Sequence, residues 1–124
     1  MLLTLVITTY NWPESLELVL KSIENQTVLP GEVVIADDGS SFETQELITG
    51  FQQDSELNII HSWQEDIGFR AAKSRNKAIL KSTGEYIILI DGDMILHPEF
   101  IQDHIDNAKL GYFAQGSRVL LSQD

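Results

Sequence analysis

Apolar residues fall along this chain in short unbroken runs, separated by stretches in which they recur every three or four positions. The runs are Leu2 to Thr8, Val33-Val34-Ile35-Ala36, Leu57 to Trp63 and Tyr86-Ile87-Ile88-Leu89-Ile90. Runs without polar alternation predict strands buried on both faces, as at the centre of a parallel sheet. Between them Leu16, Val19, Leu20 and Ile23 recur at helical spacing, as do Leu47, Ile48 and Phe51. Ala71, Ala72, Ala78 and Ile79 give a third helix, from Gly68 to about Ser82, one small apolar face. Phe100, Ile101 and Ile105 suit a fourth, short helix opened by Pro98 and closed by Gly111. Tyr112 to Leu121 reads as more strand, bent at Gly116.

Local signals place the joints. Asn11 is expected to cap the first helix, with Pro13 in its first turn. Ser40 and Glu43 have capping-box spacing ahead of the second. Leu29-Pro30-Gly31 and Thr83-Gly84 end helical stretches. Strand and helix alternating with short connections predict an α/β fold, a mostly parallel sheet with helices on both faces. At 124 residues, 43% of them apolar, residues 1–124 make one domain with a real core. Val119-Leu120-Leu121 needs a neighbour, which suggests the first part of a larger domain. An apolar sheet edge left there would invite homo-oligomer formation.

The polar residues then gather on one edge. Thr8, Thr9, Tyr10 and Asn11 end the first strand, Asp37 and Asp38 the second, Glu65 and Asp66 follow the third, and Asp91 and Asp93 end the fourth. Open parallel sheets bind ligands at the carboxyl ends of their strands. Asp91-Gly92-Asp93 offers hard oxygen donors for Mg²⁺, Mn²⁺ or Ca²⁺, and two carboxylates need further ligands, such as a diphosphate. Gly92 lets a ligand approach the backbone. Arg75, on the helix line of Ala71 and Ala78, either finds an anionic partner, the acid cluster or a phosphate, or packs its stem along the surface with its head in water. Asp38 could accept from a base edge carrying an N–H, such as uracil, with Tyr10 stacked on the base. Trp12 and Trp63 read as packing residues.

Charge and cysteine content narrow the field. Eight basic against 19 acidic residues leave a net charge of −11, which argues against nucleic acid and anionic lipid as partners. With no cysteine there is no disulfide framework or thiolate metal site. No stretch reaches transmembrane length. His61, His97 and His104 share no ligand spacing, and no P-loop or dinucleotide fingerprint occurs.

Four short motifs in order carry a resemblance: Thr8-Thr9-Tyr10-Asn11, Val34 to Ser40, Gly68 through Arg75-Asn76, and Ile90-Asp91-Gly92-Asp93. With them the chain resembles the N-terminal, nucleotide-binding part of family 2 inverting glycosyltransferases, which have a Rossmann-like GT-A-type fold. Gly68 to Asn76 and Asp91 to Met94 look most like the branch of chondroitin-polymerase-type bacterial polysaccharide transferases. The resemblance implies a UDP-sugar donor, a saccharide or lipid-linked acceptor, and Mn²⁺ or Mg²⁺. It implies that Thr8 and Tyr10 contact the nucleoside, that Asp38 binds the uracil edge with Asp37 beside it, and that Arg75 lies near the nucleotide. Asp91 would approach the ribose or metal, and Asp93 would hold the metal on the diphosphate. A cytoplasmic location, with the full-length protein at the inner membrane face, goes with that family. The family's general base lies later in the chain, so no residue here is identified as catalytic. The expectation is a chain that binds donor and transfers sugar poorly alone. Glu65-Asp66 departs from the family's usual Glu-Asn. A non-catalytic nucleotide-sugar binding module and a Mg²⁺-dependent receiver-like signalling domain are the alternatives. Receivers carry an acid pair after the first strand, where this chain has Thr-Thr-Tyr-Asn.

Overall fold

A computed structural model describes residues 2–65, 71–84, 86–107 and 114–115. Strands β1 (Leu3–Thr9), β2 (Glu32–Asp37), β3 (Ile59–Trp63), β4 (Tyr86–Asp91) and β5 (Ala114–Gln115) form one sheet. Helices α1 (Pro13–Glu24), α2 (Phe42–Asp54), α3 (Ala71–Lys81) and α4 (Phe100–Asn107) alternate with them. The order is β3-β2-β1-β4-β5, and every pairing is parallel. The chain therefore winds outward from β1 in one direction, then returns past it and winds in the other. The reversal falls between β1 and β4, where such sheets open a crevice at their carboxyl edge.

The unbroken apolar runs divide by pleat. Leu3, Leu5 and Ile7 of β1 join Val33 and Ile35 of β2 and Ile88 and Ile90 of β4 on one face. Leu16, Val19, Leu20 and Ile23 of α1, Ile48 of α2, and Phe100 and Ile101 of α4 pack on that face. Val6, Val34, Ala36 and Leu89 face the other way and meet Ala78 of α3. Strands covered on both faces need apolar side chains at every position, which is why no alternation is visible. Burying a Leu or Ile fully contributes about 1.5–3 kcal/mol, so the first face is the larger source of stability.

Several local expectations shift. Pro13 is the first residue of α1, but Trp12 holds the N-cap position and makes no side-chain cap bond. Asn11 instead adopts φ 46, and its Oδ1 accepts from the Ser41 N–H at 2.6 Å. Its own N–H donates to Ser40 Oγ at 2.7 Å. The capping box does not form: Ser41, not Ser40, precedes α2, and Ser40 is committed to Asn11. In both cases a tertiary partner outcompetes the local one, so Asn11 ties the β1 loop to the β2 loop. Tyr112–Leu121 as a strand is described only at Ala114–Gln115, and Asp66 and the start of the third helix lie outside the described residues. Among the described residues no helix is long and apolar enough to cross a membrane.

Candidate functional site

The ends of β1, β2 and β4 and one helix side chain enclose a cavity of about 280 Å³ at the crevice. Thr8, Thr9, Tyr10, Trp12, Ala36, Asp38, Ser74, Asp91, Gly92 and Asp93 line it. Each group arrives by register. Thr8 lies opposite Ala36 on one side and Asp91 on the other. That pairing lets Thr8 Oγ1 donate to Asp91 Oδ1 at 3.1 Å.

The Asp91-Gly92-Asp93 turn is held from two sides. A Cβ on Gly92 would lie 2.5 Å from the Thr8 carbonyl oxygen, so only glycine passes there without displacing the backbone. Ser15 of α1 donates its hydroxyl to the Gly92 carbonyl at 2.7 Å. The Met94 N–H returns to the Asp91 carbonyl at 3.1 Å, which closes the turn. Asp91 and Asp93 emerge exposed.

The β2 end is built differently. Asp37 is 0% exposed; its Oδ1 accepts from the Ser40 N–H at 2.8 Å and its Oδ2 meets His61 Nε2 at 2.8 Å. Gly39, at φ 90, allows the chain to fold back over it. Asp38 is 5% exposed, but it reaches the cavity. Gln64 Nε2 donates to Asp38 Oδ1 at 2.6 Å, and the Asp38 N–H donates to the Thr9 carbonyl at 3.2 Å. Trp63 Nε1 donates to the Ser40 carbonyl at 3.2 Å.

Five of the residues singled out from sequence, Thr8, Tyr10, Asp38, Asp91 and Asp93, thus meet in one cavity. Asp37 does not line it, since both of its carboxylate oxygens face inward. Nor does Arg75, which is half-buried on α3. The ion pairs among the described residues, Lys21–Glu17, His61–Asp37 and His97–Asp103, do not include it. The buried stripe of α3 runs instead through Ser74 and Ala78, and Ser74 takes the place in the cavity. Trp12, read from sequence as packing, is 56% exposed and lines the mouth beside Tyr10. Ser74, Ser15 and Gln64 went unnoticed in sequence. For Ser74 a signal existed, its spacing of four from Ala78. Ser15 and Gln64 act across the sheet edge and carry no local signature.

Three carboxylates in one small cavity disfavour one another unless a cation joins them. Asp91 and Asp93 supply a hard, oxygen-only donor pair that fits a divalent ion sharing further oxygens from a ligand. No set of three or more His, Cys, Asp or Glu residues that could hold a metal occurs among the described residues. The donor pair of Asp91 and Asp93 suits a cation carried in with a phosphate ligand.

Comparison with known proteins places this geometry. The Glycosyl transferase family 2 profile matches residues 4–123. The chain belongs to that family. It is 33% identical over 84% of its length to the chondroitin synthase of Escherichia coli, and spans 15% of that protein. It is 32% identical over 82% of its length to the validoxylamine A glucosyltransferase of Streptomyces hygroscopicus subsp. limoneus, and spans 22% of it. Among solved structures, S. aureus TarS 1-349 in complex with UDP-GlcNAc superposes with a TM-score of 0.76 at 27% identity. That match covers 86% of this chain and 30% of TarS 1-349. The chain thus spans less than a third of each of these relatives. The family resemblance and the GT-A-type α/β architecture expected from the four motifs are both found.

Proposed function

We propose that this chain is the donor-binding part of a metal-assisted, inverting glycosyltransferase that takes a UDP-sugar. The observation that carries the reading is the convergence of Thr8, Tyr10, Asp38, Asp91 and Asp93 on one cavity at the β1–β4 reversal. The UDP-GlcNAc bound by the similar TarS supports the choice of nucleotide. In this reading Asp38 accepts from the base, and Tyr10 and Trp12 flank the nucleoside. Thr8 fixes Asp91 toward the ribose and metal. Asp37 is a positioning residue, because His61 and the Ser40 N–H hold it behind Asp38. In this reading Arg75, one residue beyond Ser74 on α3, meets the anionic ligand as an arginine suits phosphate.

Asp91 and Asp93 would hold Mn²⁺ or Mg²⁺ against the diphosphate, and a bound cation would neutralise charge on the departing UDP. In the reaction the acceptor hydroxyl oxygen bonds the anomeric carbon as the bond from that carbon to the diphosphate oxygen breaks. UDP leaves with the electron pair, and the hydroxyl proton passes to a base. Attack from the side opposite UDP inverts the anomeric centre. The acceptor is a saccharide or lipid-linked saccharide, as the polysaccharide synthase among the relatives suggests. We assign no residue of this chain as the base.

Thermal denaturation with UDP, GDP, CDP and UDP-sugars, each with and without Mn²⁺, tests the reading. UDP with Mn²⁺ is expected to stabilise by about 2.7 kcal/mol at 100 times its dissociation constant. Asp93→Ala is expected to abolish the Mn²⁺-dependent part of that stabilisation. Stabilisation by no nucleotide, or an equal response in Asp93→Ala, would overturn it.

A further inference from the structure

The hydroxyl of Ser74 lines the cavity, is buried, and has no use so far. Ser74 is 2% exposed, and its Oγ has no hydrogen-bond partner among the described residues. Other serines at helices do not behave this way. Ser22 in α1 donates back to the Val19 carbonyl at 2.6 Å, and Ser82 just past α3 donates to the Ile79 carbonyl at 2.6 Å. Ser15 reaches the Gly92 carbonyl. A buried hydroxyl without a partner is costly, and in native structures it calls for an explanation. Here it lines the same cavity as Asp38 and Asp91.

Its position favours one end of that cavity. Ala78, four residues on, packs with Val6, Val34, Ala36 and Leu89. Residues four apart share a helix face, so Ser74 continues that stripe toward the carboxyl edge of the sheet. Helix α3 packs chiefly on β2. Ala36, the last apolar residue of β2, lines the cavity together with Ser74, and Asp38 follows it by two positions. Ser74 therefore stands at the Asp38 end.

The two groups are chemically complementary. An ionised carboxylate only accepts, whereas a hydroxyl can donate. Gln64 fixes the Asp38 carboxylate through Oδ1. A ring N–H flanked by carbonyl oxygens, as in uracil, satisfies both: the carboxylate takes the N–H and the hydroxyl donates to a neighbouring carbonyl. Cytosine presents an unprotonated ring nitrogen to the carboxylate and fails the match. Building on the UDP-sugar reading above, we infer that Ser74 is a specificity-determining residue whose hydroxyl donates to a carbonyl oxygen of the bound uracil.

Calorimetric titration of the chain with UDP, CDP and inorganic diphosphate, in the presence of Mn²⁺, tests this. Ser74→Ala is expected to weaken UDP roughly three- to tenfold, the range of one neutral hydrogen bond. CDP and inorganic diphosphate are expected to bind it as they bind the wild type, so the UDP-to-CDP preference shrinks by the same factor. Ser74→Cys, which keeps the size with a weaker donor, is expected to fall between. The unliganded melting temperature of Ser74→Ala is expected to hold or rise, since an orphaned hydroxyl is removed. Wild-type affinity for UDP in Ser74→Ala would overturn the assignment, as would an equal loss for inorganic diphosphate. Failure of the wild type itself to bind UDP would instead bring down the nucleotide-sugar reading, before any substitution is compared.

Discussion

Two strands of this sheet end in a pair of acids beside a glycine, and the pairs behave in opposite ways. At the end of β2, Asp37 and Asp38 are 0% and 5% exposed, and both are fastened by side chains from the neighbouring β3 segment, His61 and Gln64. At the end of β4, Asp91 and Asp93 stand exposed, braced through backbone and by Thr8. The buried pair has donors of fixed direction around it, which suits recognition of a rigid edge. The open pair is exposed at the cavity, which suits a cation that arrives with its ligand. Burial and donor supply separate the roles, not residue type.

Substitutions can break this contrast. The largest effect is expected at Asp37. Replacing it by Ala strands His61 and the Ser40 N–H, and about 3 kcal/mol of folding stability should be lost. Asp91→Ala, which removes an exposed bond with Thr8, should cost about 1 kcal/mol or less. Urea denaturation of both variants measures the difference, and equal losses would erase the distinction drawn here.

A third acid sharpens the comparison from the opposite edge of the sheet. Glu32 at the start of β2 is 3% exposed and accepts from the Thr83 N–H at 2.8 Å and from Thr83 Oγ1 at 2.5 Å. Burial pushes its pKa up, but the Thr83 bonds and a bond to Thr4 outweigh this and hold it below the ordinary 4.5. Its stabilisation is then complete above pH 4.5 and is lost as pH falls through the lower folded value. Burial also holds His104 below its usual 6.5, against the opposing pull of Asp103, so protonation below pH 6.5 costs stability too. Melting temperature followed from pH 7 downward should fall, and Glu32→Gln should lessen the part of the fall below pH 4.5. Loss of that hydrogen-bonded charge should cost about 1.5–2 kcal/mol at pH 7.

The smallest effect is expected at Ser15. Ser15→Ala removes one bond to the Gly92 carbonyl, worth about 1 kcal/mol. Because that bond braces the open pair alone, the variant should weaken Mn²⁺-dependent UDP binding several-fold while leaving nucleotide binding without metal as it was. A uniform loss would mean that the brace acts on the whole crevice.

Much of this was readable in advance, and the misses have a common cause. Four strands and four helices follow from runs and periodicities that depend on neighbours within a few positions. Strand ends moved by one or two residues, since the last ladder partner decides where pairing stops. Asn11 and Ser40 were read as local caps, yet each found a partner some thirty positions away that also fixes loop geometry. Arg75 and Ser74 are adjacent but stand about 100° apart around the helix, and the packing of α3 on the sheet decides which one enters the cavity.

By itself the sequence determined the alternation of strand and helix, the parallel sheet and the gathering of acids on its carboxyl edge. These depend on side-chain period and connection length, which are written along the chain. Only the tertiary structure decided which acids are open and which are sealed, because that depends on donors brought from distant strands. His61 reaches Asp37, Gln64 reaches Asp38 and Ser15 reaches Gly92 only once the sheet order is set. The same assembly left the Ser74 hydroxyl buried at the cavity wall, a fact no window of neighbouring residues contains.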